Sequence, residues 1–472
     1  MRNRLFHSIV LLALAVGIHD ASATDQPNVL FFLVDDLGYS DIGCYGNTLH
    51  ETPNVDRLAR EGIRFTDAYA ACAVCSPTRA SIQTGQYPVR FGITDWIPGA
   101  RMPNTPVKEV FTERMLPVEA VTVADAFKGH GYRTAFVGKW HLNDKGQKTG
   151  FPEEQGYEVN IGGYHKGSPP GGYFAPFKNP KISAKPNDHY LTDRLGDECI
   201  ELLGQYSKDR NIPFFLMLSF YTVHTPIQPK KELVRYYEKK LAKHPSDPWK
   251  NPKYAAMVHS MDENVGRVLE ALKSLGLDED TIVVFFSDNG GVEELTSCYP
   301  LSGGKGLYHE GGIRVPLIIR KPGMVEAGAE SAAIVSSNDL FPTLLDMAGL
   351  PLQPAAHKDG RSLKPIFENK PFEGHAALYW HFPHYHGSGE TPCSATRVGD
   401  YKFIRHYEDG KRELYNLKDD IGETNNLVNT MPEKAAELEA VLEQWLVEMH
   451  AVIPGPDPTY DPSKPFRKVK RK

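Results

Sequence analysis

The chain has 472 residues, of which 41% are apolar and 24% charged, and its formal net charge is −6 at neutral pH. This length and apolar content are sufficient for a large core and a second, smaller one. The negative charge gives the whole molecule no electrostatic attraction to nucleic acid, which excludes that class of partner. No apolar run reaches 18 residues, so we predict no membrane-spanning helix.

Residues 1–23 have the composition of an export signal. Arg2 and Arg4 precede a mostly apolar stretch, 9–17, and Ala21-Ser22-Ala23 provides a cleavage site of small residues. The apolar stretch is too short to cross a bilayer. We therefore predict a signal peptide over 1–23 and a mature protein that is secreted or periplasmic.

Strands and helices alternate through the first two thirds of the chain. Continuous apolar runs predict strands buried on both faces, over 28–34, 132–138, 213–220 and 281–286. Helical spacing of apolar residues predicts helices over 53–62, 121–128, 193–206 and 254–275. The alternation predicts an α/β fold with a large, mostly parallel sheet flanked by helices. Segment 149–188, rich in Gly, Pro and Tyr, is predicted to be a long surface loop that faces substrate.

Polar side chains directly follow each of the four predicted strands. They are Asp35 and Asp36, Lys139 and His141, His224, and Asp288 with Asn289. In doubly wound sheets ligands bind beyond the carboxyl ends of the strands, so these residues predict one shared site. The oxygen-bearing members suit calcium or magnesium better than zinc.

The pattern changes after residue 365. Short strands are predicted over 378–382, 395–398, 401–405 and 413–417, with hairpin turns at 399–400 and 409–410. An amphipathic helix then begins at Pro432. We therefore divide the mature chain into a catalytic α/β domain over 24–365 and a smaller subdomain of antiparallel sheet plus helix over 366–472.

Segment 75–85, with the sequence CSPTRASIQTG, carries the most specific motif. Cys72 and Cys75 also have C-x-x-C spacing, which is compatible with a redox pair or half of a zinc site. Nothing nearby completes a zinc site, and a redox pair does not require the residues that follow Cys75. The pairing of the six cysteines is left open.

These motifs together resemble the type I sulfatases of the alkaline phosphatase superfamily. The resemblance rests on CSPTR at 75–79, DD at 35–36, GKWH at 138–141 and SDNGG at 287–291. It extends from Asn28 to about Leu363, with a weaker similarity over 413–427. It implies that a formylglycine-generating or anaerobic maturation enzyme oxidises Cys75 to Cα-formylglycine.

The resemblance also implies a role for each site residue. One Ca²⁺ would be bound by Asp35, Asp36, Asp288, Asn289 and the modified Cys75. Arg79 would hold the formylglycine, Lys139 and Lys305 would bind the sulfate oxygens, His141 would contact the formylglycine hydroxyl, and His224 would lie near the leaving oxygen.

The chemistry follows from a hydrated aldehyde, which carries two hydroxyls on one carbon. One hydroxyl attacks sulfur while His224 protonates the departing alcohol. His141 then takes a proton from the second hydroxyl, which releases sulfate and restores the aldehyde. A serine or cysteine has no second hydroxyl and would remain sulfated.

The sequence thus predicts an exported sulfatase that removes sulfate from a carbohydrate of the polysaccharide or glycosaminoglycan type. The alternatives are a phosphonate monoester or phosphodiester hydrolase of the same superfamily and a non-catalytic sulfate-binding relative.

His165, and Lys166 beside it, are candidates for substrate contact. His381, His384 and His386 leave a second metal site open, although substrate contact or surface exposure is favoured. Lys305 lies in SGGKG, which lacks the GK[ST] ending of a nucleotide loop.

Overall fold

The structure is a computed structural model that describes residues 26–100, 102–183, 185 and 190–464. The predicted signal peptide, 1–23, lies outside these ranges. Among the helices within them, none combines the length and apolar character needed to cross a membrane.

An eight-stranded sheet forms the centre of the fold. In order across the sheet, its strands are β5 (Val159–Ile161), β4 (Arg133–Gly138), β6 (Phe214–Ser219), β1 (Asn28–Val34), β7 (Thr281–Ser287), β8 (Leu317–Arg320), β2 (Ile63–Phe65) and β9 (Ala329–Ser331). The five strands from β5 to β7 are parallel, whereas β8 is antiparallel to both of its neighbours. The predicted large, mostly parallel sheet is confirmed.

Both faces of the sheet are covered, which explains why its central strands are apolar throughout. Phe31 and Leu33 of β1 point into one core, and Leu30 and Phe32 point into the other. The first core is covered by α2 (Cys75–Thr84), α3 (Val123–Gly129) and α8 (Leu340–Met347). The second is covered by α1 (Pro53–Glu61), α4 (Leu191–Tyr206) and α6 (Pro252–Ser274). Side chains that alternate along a strand buried on both faces must all be apolar.

The sequence did not reveal every element. The four helices predicted in this domain match α1, α3, α4 and α6 within two residues at each end. Helix α2 was missed because all ten of its residues are buried, so it lacks the one-sided apolar pattern of a surface helix. The surface-loop prediction for 149–188 is wrong in part, since this segment contributes β5 and buries Tyr157 and Tyr173.

The remaining short elements lie around this centre. They are α5 (Lys231–Leu241), α7 (Glu310–Ile313), α9 (Lys364–Phe367) and the parallel pair β3 (Ala68–Tyr69) and β10 (Val335–Ser336).

The C-terminal part has the predicted antiparallel sheet and helix. Its strands run in sequence order, β11 (Leu378–Phe382), β12 (Cys393–Val398), β13 (Tyr401–His406) and β14 (Arg412–Asn416). Helix α10 (Pro432–Glu448) buries Leu438, Leu442 and Trp445 in a core shared with Phe403 and Leu414. The division of the chain at residue 365 stays a prediction.

Candidate active site

The carboxyl ends of two neighbouring strands bring three carboxylates together. Val34 of β1 is in register with Ser287 of β7, so the residues that follow each strand are adjacent. Carboxylate oxygens of Asp35, Asp36 and Asp288 all lie within 4.8 Å of one another, and all three residues are buried. The Asp36 amide donates to Asp288 Oδ1 at 3.2 Å, which fixes the two strand ends relative to each other.

Each carboxylate is paired with its own buried cation. Lys139 Nζ lies 2.7 Å from both oxygens of Asp35. Lys305 Nζ lies 2.6 and 2.7 Å from the two oxygens of Asp36. Arg79 Nε donates to Asp288 Oδ2 at 2.8 Å, and Arg79 Nη2 lies 2.7 Å from the same oxygen. Each of the three carboxylates therefore has a cationic partner, although burial, the largest influence, outweighs Lys139 and raises the pKa of Asp35 well above its ordinary value.

The cations decide the protonation of two of these acids. Burial alone would raise the pKa of Asp36, but Lys305, His224 and Lys139 together outweigh burial and hold that pKa below its ordinary value. Burial opposes ionisation of Asp288 as well, yet Arg79 lowers its pKa. Both carboxylates are therefore ionised at neutral pH.

The donor set fits a hard divalent cation. Asn289 Nδ2 donates to Asp36 Oδ1 at 2.9 Å, whereas Asn289 Oδ1 is buried and has no hydrogen-bond partner among the residues that the structure describes. Buried acceptor atoms normally receive a hydrogen bond, so this carbonyl oxygen calls for another partner. A cation bound beside the three carboxylates would be that partner. An all-oxygen set of this kind suits calcium or magnesium. Asp36 also has φ of 60°, a left-handed conformation that non-glycine residues rarely adopt away from functional sites.

Cys75 is the first residue of α2, and a histidine contacts its side chain. His141 Nδ1 lies 3.1 Å from Cys75 Sγ. The next residue holds this histidine in place, because Ser76 Oγ donates to the His141 carbonyl at 2.8 Å and accepts from the Ile97 amide at 3.0 Å.

The hydrogen bonds of His141 determine its tautomer. Its Nε2 lies 2.6 Å from the Ile97 carbonyl, which only accepts, so Nε2 carries the proton. Nδ1 is therefore left with a lone pair directed at residue 75. Burial, reinforced by the charge of Lys139, holds the pKa of His141 well below its ordinary value and keeps the ring neutral. The ring is set up to receive a proton from side chain 75.

Arg79 ties the start of α2 to the sheet. Besides Asp288, it donates through Nη1 to the Lys139 carbonyl at 2.7 Å and to Ser219 Oγ at 2.8 Å. Ser219 is the last residue of β6 and was not singled out in the sequence, where a serine ending a strand carries no distinctive signal. One guanidinium thus fixes the ends of three strands around residue 75.

A cavity of about 640 Å³ opens over these groups, and we call it the sulfate cavity. Its lining comprises Cys75, Trp96, Ile97, Pro98, Arg114, His141, Asp144, Lys145, His165, Lys166, Gly167, Ser168, His224, Lys305 and His386. The candidates His165, His224 and Lys305 all face it. Lys139 does not, since it is fully buried against Asp35. Trp96, Arg114 and Asp144 were missed because they lie in loops without a recognisable motif.

His224 lies at the edge of the carboxylate cluster, with Nε2 3.8 Å from Asp36 Oδ2. Its Nδ1 donates to the Thr225 carbonyl at 2.7 Å. Burial and the charge of Lys305 hold its pKa at about 3, so the ring is neutral and its Nε2 presents a lone pair.

The three histidines of the C-terminal sheet region do not meet at one point. His381 contacts Ser394 Oγ and the Val452 carbonyl, and His384 contacts Thr94 Oγ1. Both are buried, so the expectation of surface exposure is wrong for them. His386 alone of the three lines the sulfate cavity, in keeping with substrate contact.

Comparison with known proteins gives consistent matches. Residues 27–350 match the sequence profile of the family described as Sulfatase, and residues 304–451 match that of N-sulphoglucosamine sulphohydrolase, C-terminal. A protein of Formosa agariphila described as "Sulfatase" is 31% identical over 94% of each chain. Human arylsulfatase A is 30% identical, over 92% of this chain and 89% of its own. Human N-acetylgalactosamine-6-sulfatase is 32% identical, over 82% of this chain and 73% of its own.

Solved structures agree with these matches. Ps i-CgsB in complex with k-i-k-neocarrahexaose superposes with a TM-score of 0.75 at 29% identity, covering 89% of this chain and 92% of its own. BT4656 in complex with its substrate D-glucosamine-2-N,6-O-disulfate superposes with a TM-score of 0.71 at 25% identity, covering 90% and 98%.

Proposed function

The chain belongs to the sulfatase family and is a sulfuric ester hydrolase, and on that premise we propose that it removes sulfate from a carbohydrate. We further propose that it does so with a formylglycine at position 75 and one bound calcium ion. The names of its relatives support a carbohydrate substrate, since they include a sulfatase of N-acetylgalactosamine and a structure with neocarrahexaose.

One observation carries the proposal. The side chain of residue 75 lies at the start of α2 in the same cavity as Lys305 and His224, and within 3.1 Å of the unprotonated nitrogen of His141. Cationic and histidine side chains surround this position. A nucleophile that must lose a proton and attack an anionic ester requires them.

Asp35, Asp36, Asp288 and Asn289 would hold the calcium ion. When bound, the ion would stabilise negative charge that develops on oxygen atoms at the reacting centre. Asn289 Oδ1 supplies a neutral donor, so that the ligand set does not depend on carboxylates alone.

Formylglycine at position 75 would supply a hydrated aldehyde as the nucleophile. Arg79 fixes the first turn of α2 through Asp288, Ser219 and the Lys139 carbonyl, which sets the direction from which side chain 75 faces the ester. His141 accepts a proton at Nδ1 while its Nε2 proton stays on the Ile97 carbonyl.

The sulfate group would bind among positive charges. Lys305, on the wall of the cavity, is the cation placed to contact its oxygens. Lys139 lies behind it and adds positive charge to the site while donating to Asp35. Since the carboxylates are already balanced by cations, a divalent ion would leave the site positive and favourable for an anionic ester.

His224 is assigned as the proton donor to the leaving alcohol. Its ring lines the cavity and is neutral in the free site. An anionic ester bound beside the ring favours its protonated form, because a neighbouring negative charge raises a histidine pKa.

Export and maturation complete the proposal. The signal-like composition of residues 1–23 supports secretion or transfer to the periplasm. N-terminal sequencing of the protein recovered outside the cytoplasm should begin near Thr24, and a start at Met1 would contradict cleavage of residues 1–23. The aldehyde at position 75 requires a separate maturation enzyme.

The function is tested by comparing two substrates on one matured preparation. 4-Nitrophenyl sulfate should be hydrolysed with higher kcat/KM than bis(4-nitrophenyl) phosphate, and Cys75→Ala should abolish hydrolysis of the sulfate. A preference for the phosphodiester would instead identify a phosphodiester hydrolase on the same scaffold. A matured wild-type preparation with no activity on either would leave only a binding role.

A further inference from the structure

A second cavity of about 320 Å³ adjoins the sulfate cavity, with His386 lining both. Its volume lies at the small end of the range of about 300–1,000 Å³ that ligand pockets occupy. Gly306, next to Lys305, has φ of 84°, and a Cβ there would lie 2.0 Å from His386 Nδ1. The His386 ring is thus packed on the loop that carries Lys305, so a ligand reaching past it would extend directly from the bound ester.

Two residues that follow α10, Tyr460 and Lys464, lie in one wall of this second cavity. After α10, the backbone returns to segment 104–108, where the Lys108 amide donates to the Gly455 carbonyl at 2.8 Å and the Asp457 amide to the Pro106 carbonyl at 2.9 Å. Asn104 fastens the last turn, because its Nδ2 donates to the Asp461 carbonyl at 3.0 Å and its Oδ1 accepts from the Asp461 amide at 2.8 Å. These bonds hold Tyr460 at the cavity, with Tyr385 also in its lining.

The two cavities differ in charge. The lining of the sulfate cavity includes Arg114, Lys145, Lys166 and Lys305 against Asp144 as its acid. In the second cavity the described lining includes two acids, Glu390 and Glu408. Glu390 lies 3.7 Å from His406, and the lysine of the lining, Lys464, is paired with Asp461 at 3.1 Å, so Glu408 carries most of the negative charge that faces a ligand. A sulfate or carboxylate group is therefore attracted to the first cavity and repelled from the second.

We infer that the second cavity binds an uncharged sugar ring next to the sulfated one, so that the enzyme acts on an oligosaccharide whose neighbouring residue is neutral. The tyrosine rings offer apolar surface for one face of such a ring, and the Glu408 carboxylate accepts hydrogen bonds from its hydroxyls. This inference rests on the proposed function and adds the class of the neighbouring sugar.

The test uses two readouts on the full-length protein. The first is the binding of Cys75→Ser protein to an array of sulfated mono- and oligosaccharides whose neighbouring rings are either neutral or uronic acids. We expect the bound set to consist of oligosaccharides with a neutral neighbour, and the double variant Cys75→Ser/Tyr460→Ala to bind them about tenfold more weakly, which corresponds to roughly 1.4 kcal/mol. Tyr236→Ala in place of Tyr460→Ala is the matched control, since Tyr236 is an exposed tyrosine on α5 and should have no effect.

The second readout is turnover of 4-nitrophenyl sulfate by the matured wild-type protein, which requires the sulfate cavity alone. If the wild-type protein does not turn over this ester, the proposed function is refuted, whatever the array shows. With turnover intact, the inference is overturned if monosaccharides bind as well as oligosaccharides, if uronic acid neighbours are preferred, if Tyr460→Ala leaves binding unchanged, or if no oligosaccharide binds.

Discussion

His141 Nδ1 lies 3.1 Å from the side chain of residue 75, and the opposite nitrogen of the same ring donates to the Ile97 carbonyl at 2.6 Å. The bond to Ile97 fixes the tautomer, so the nitrogen facing residue 75 is an acceptor. A proton leaving side chain 75 thus has a receiver whose orientation is set by the main chain.

Replacement of His141 should therefore slow turnover while the fold persists. We expect His141→Ala to lower kcat for 4-nitrophenyl sulfate by about 10²–10⁴, the usual contribution of a positioned acid or base. His357→Ala is a suitable control, because His357 is also buried but contacts the Gln353 amide outside the site. The control should lower stability and leave kcat unchanged. An His141→Ala enzyme with wild-type kcat would exclude the proton-acceptor role.

Gly167 makes room for the same ring. A Cβ at this position would lie 2.3 Å from His141 Cε1, closer than atoms can approach, so Gly167→Ala must displace the imidazole. We expect kcat to fall about tenfold, since small displacements of a catalytic group are costly. Gly204→Ala is the matched control, because a Cβ there meets nothing within 4 Å and α4 would gain about 0.5–1 kcal/mol. Equal kcat values for the two alanine variants would contradict the steric account.

Calcium binding should depend on the orphan oxygen of Asn289. The wild-type protein should gain about 2.7 kcal/mol of unfolding free energy when calcium exceeds its Kd a hundredfold. Asn289→Ala should require at least tenfold more calcium for the same rise in Tm, measured by thermal unfolding at several calcium concentrations. Asn264→Ala removes another buried asparagine, one that donates to Asp193, and should keep the full calcium response. If both variants respond like wild type, Asn289 is not a ligand.

A buried ion cluster holds the C-terminal sheet against the catalytic domain. Lys402 Nζ on β13 lies 2.9 Å from Glu310 Oε1 and also pairs with Glu423, and the side chains of all three are fully buried. Lys402→Met would leave two carboxylates buried without this partner, which should cost about 3–5 kcal/mol in urea unfolding. The double variant Lys402→Met/Glu423→Gln should recover part of that loss. A loss below about 1 kcal/mol in the single variant would contradict this account.

His375 makes stability depend on pH. Burial lowers its pKa, but Asp339, whose Oδ1 lies 2.8 Å from His375 Nε2, outweighs burial and raises it; Asp359 adds to this increase and Arg361 opposes it. Because the folded pKa exceeds the unfolded value of about 6.5, the stabilisation is complete below that pH and is lost as pH rises through the folded pKa. The stability difference between wild type and His375→Gln, from urea unfolding, should therefore be larger at about pH 6 than at about pH 9. A constant difference would refute the linkage.

The parts of the fold that could be predicted were those with a characteristic pattern of apolar and polar residues along the chain. Strand β1 is a continuous apolar run ending in two aspartates, so both its burial and its contribution to the site followed from the sequence. Helix α2 gave no such signal because it is buried on all sides, although it carries residue 75. The contact of Ser219 with Arg79 joins residues 140 positions apart, and only the three-dimensional arrangement reveals it.

The sequence also identified the polar residues of the site more successfully than the groups that they contact. Lys139 was expected at the sulfate, yet its ammonium is buried against Asp35, away from the cavity wall. The three histidines near β11 lie close in sequence but contact separate partners, because only His381 lies on the strand, whereas His384 and His386 follow its end at Phe382.

Residue 75 should be an aldehyde in the active enzyme. Mass spectrometry of the proteolytic peptide that spans residue 75 can establish this on preparations of graded activity. We expect the fraction of peptide with the aldehyde mass to rise in proportion to kcat for 4-nitrophenyl sulfate. A fully active preparation in which this peptide retains the unmodified cysteine thiol would contradict it.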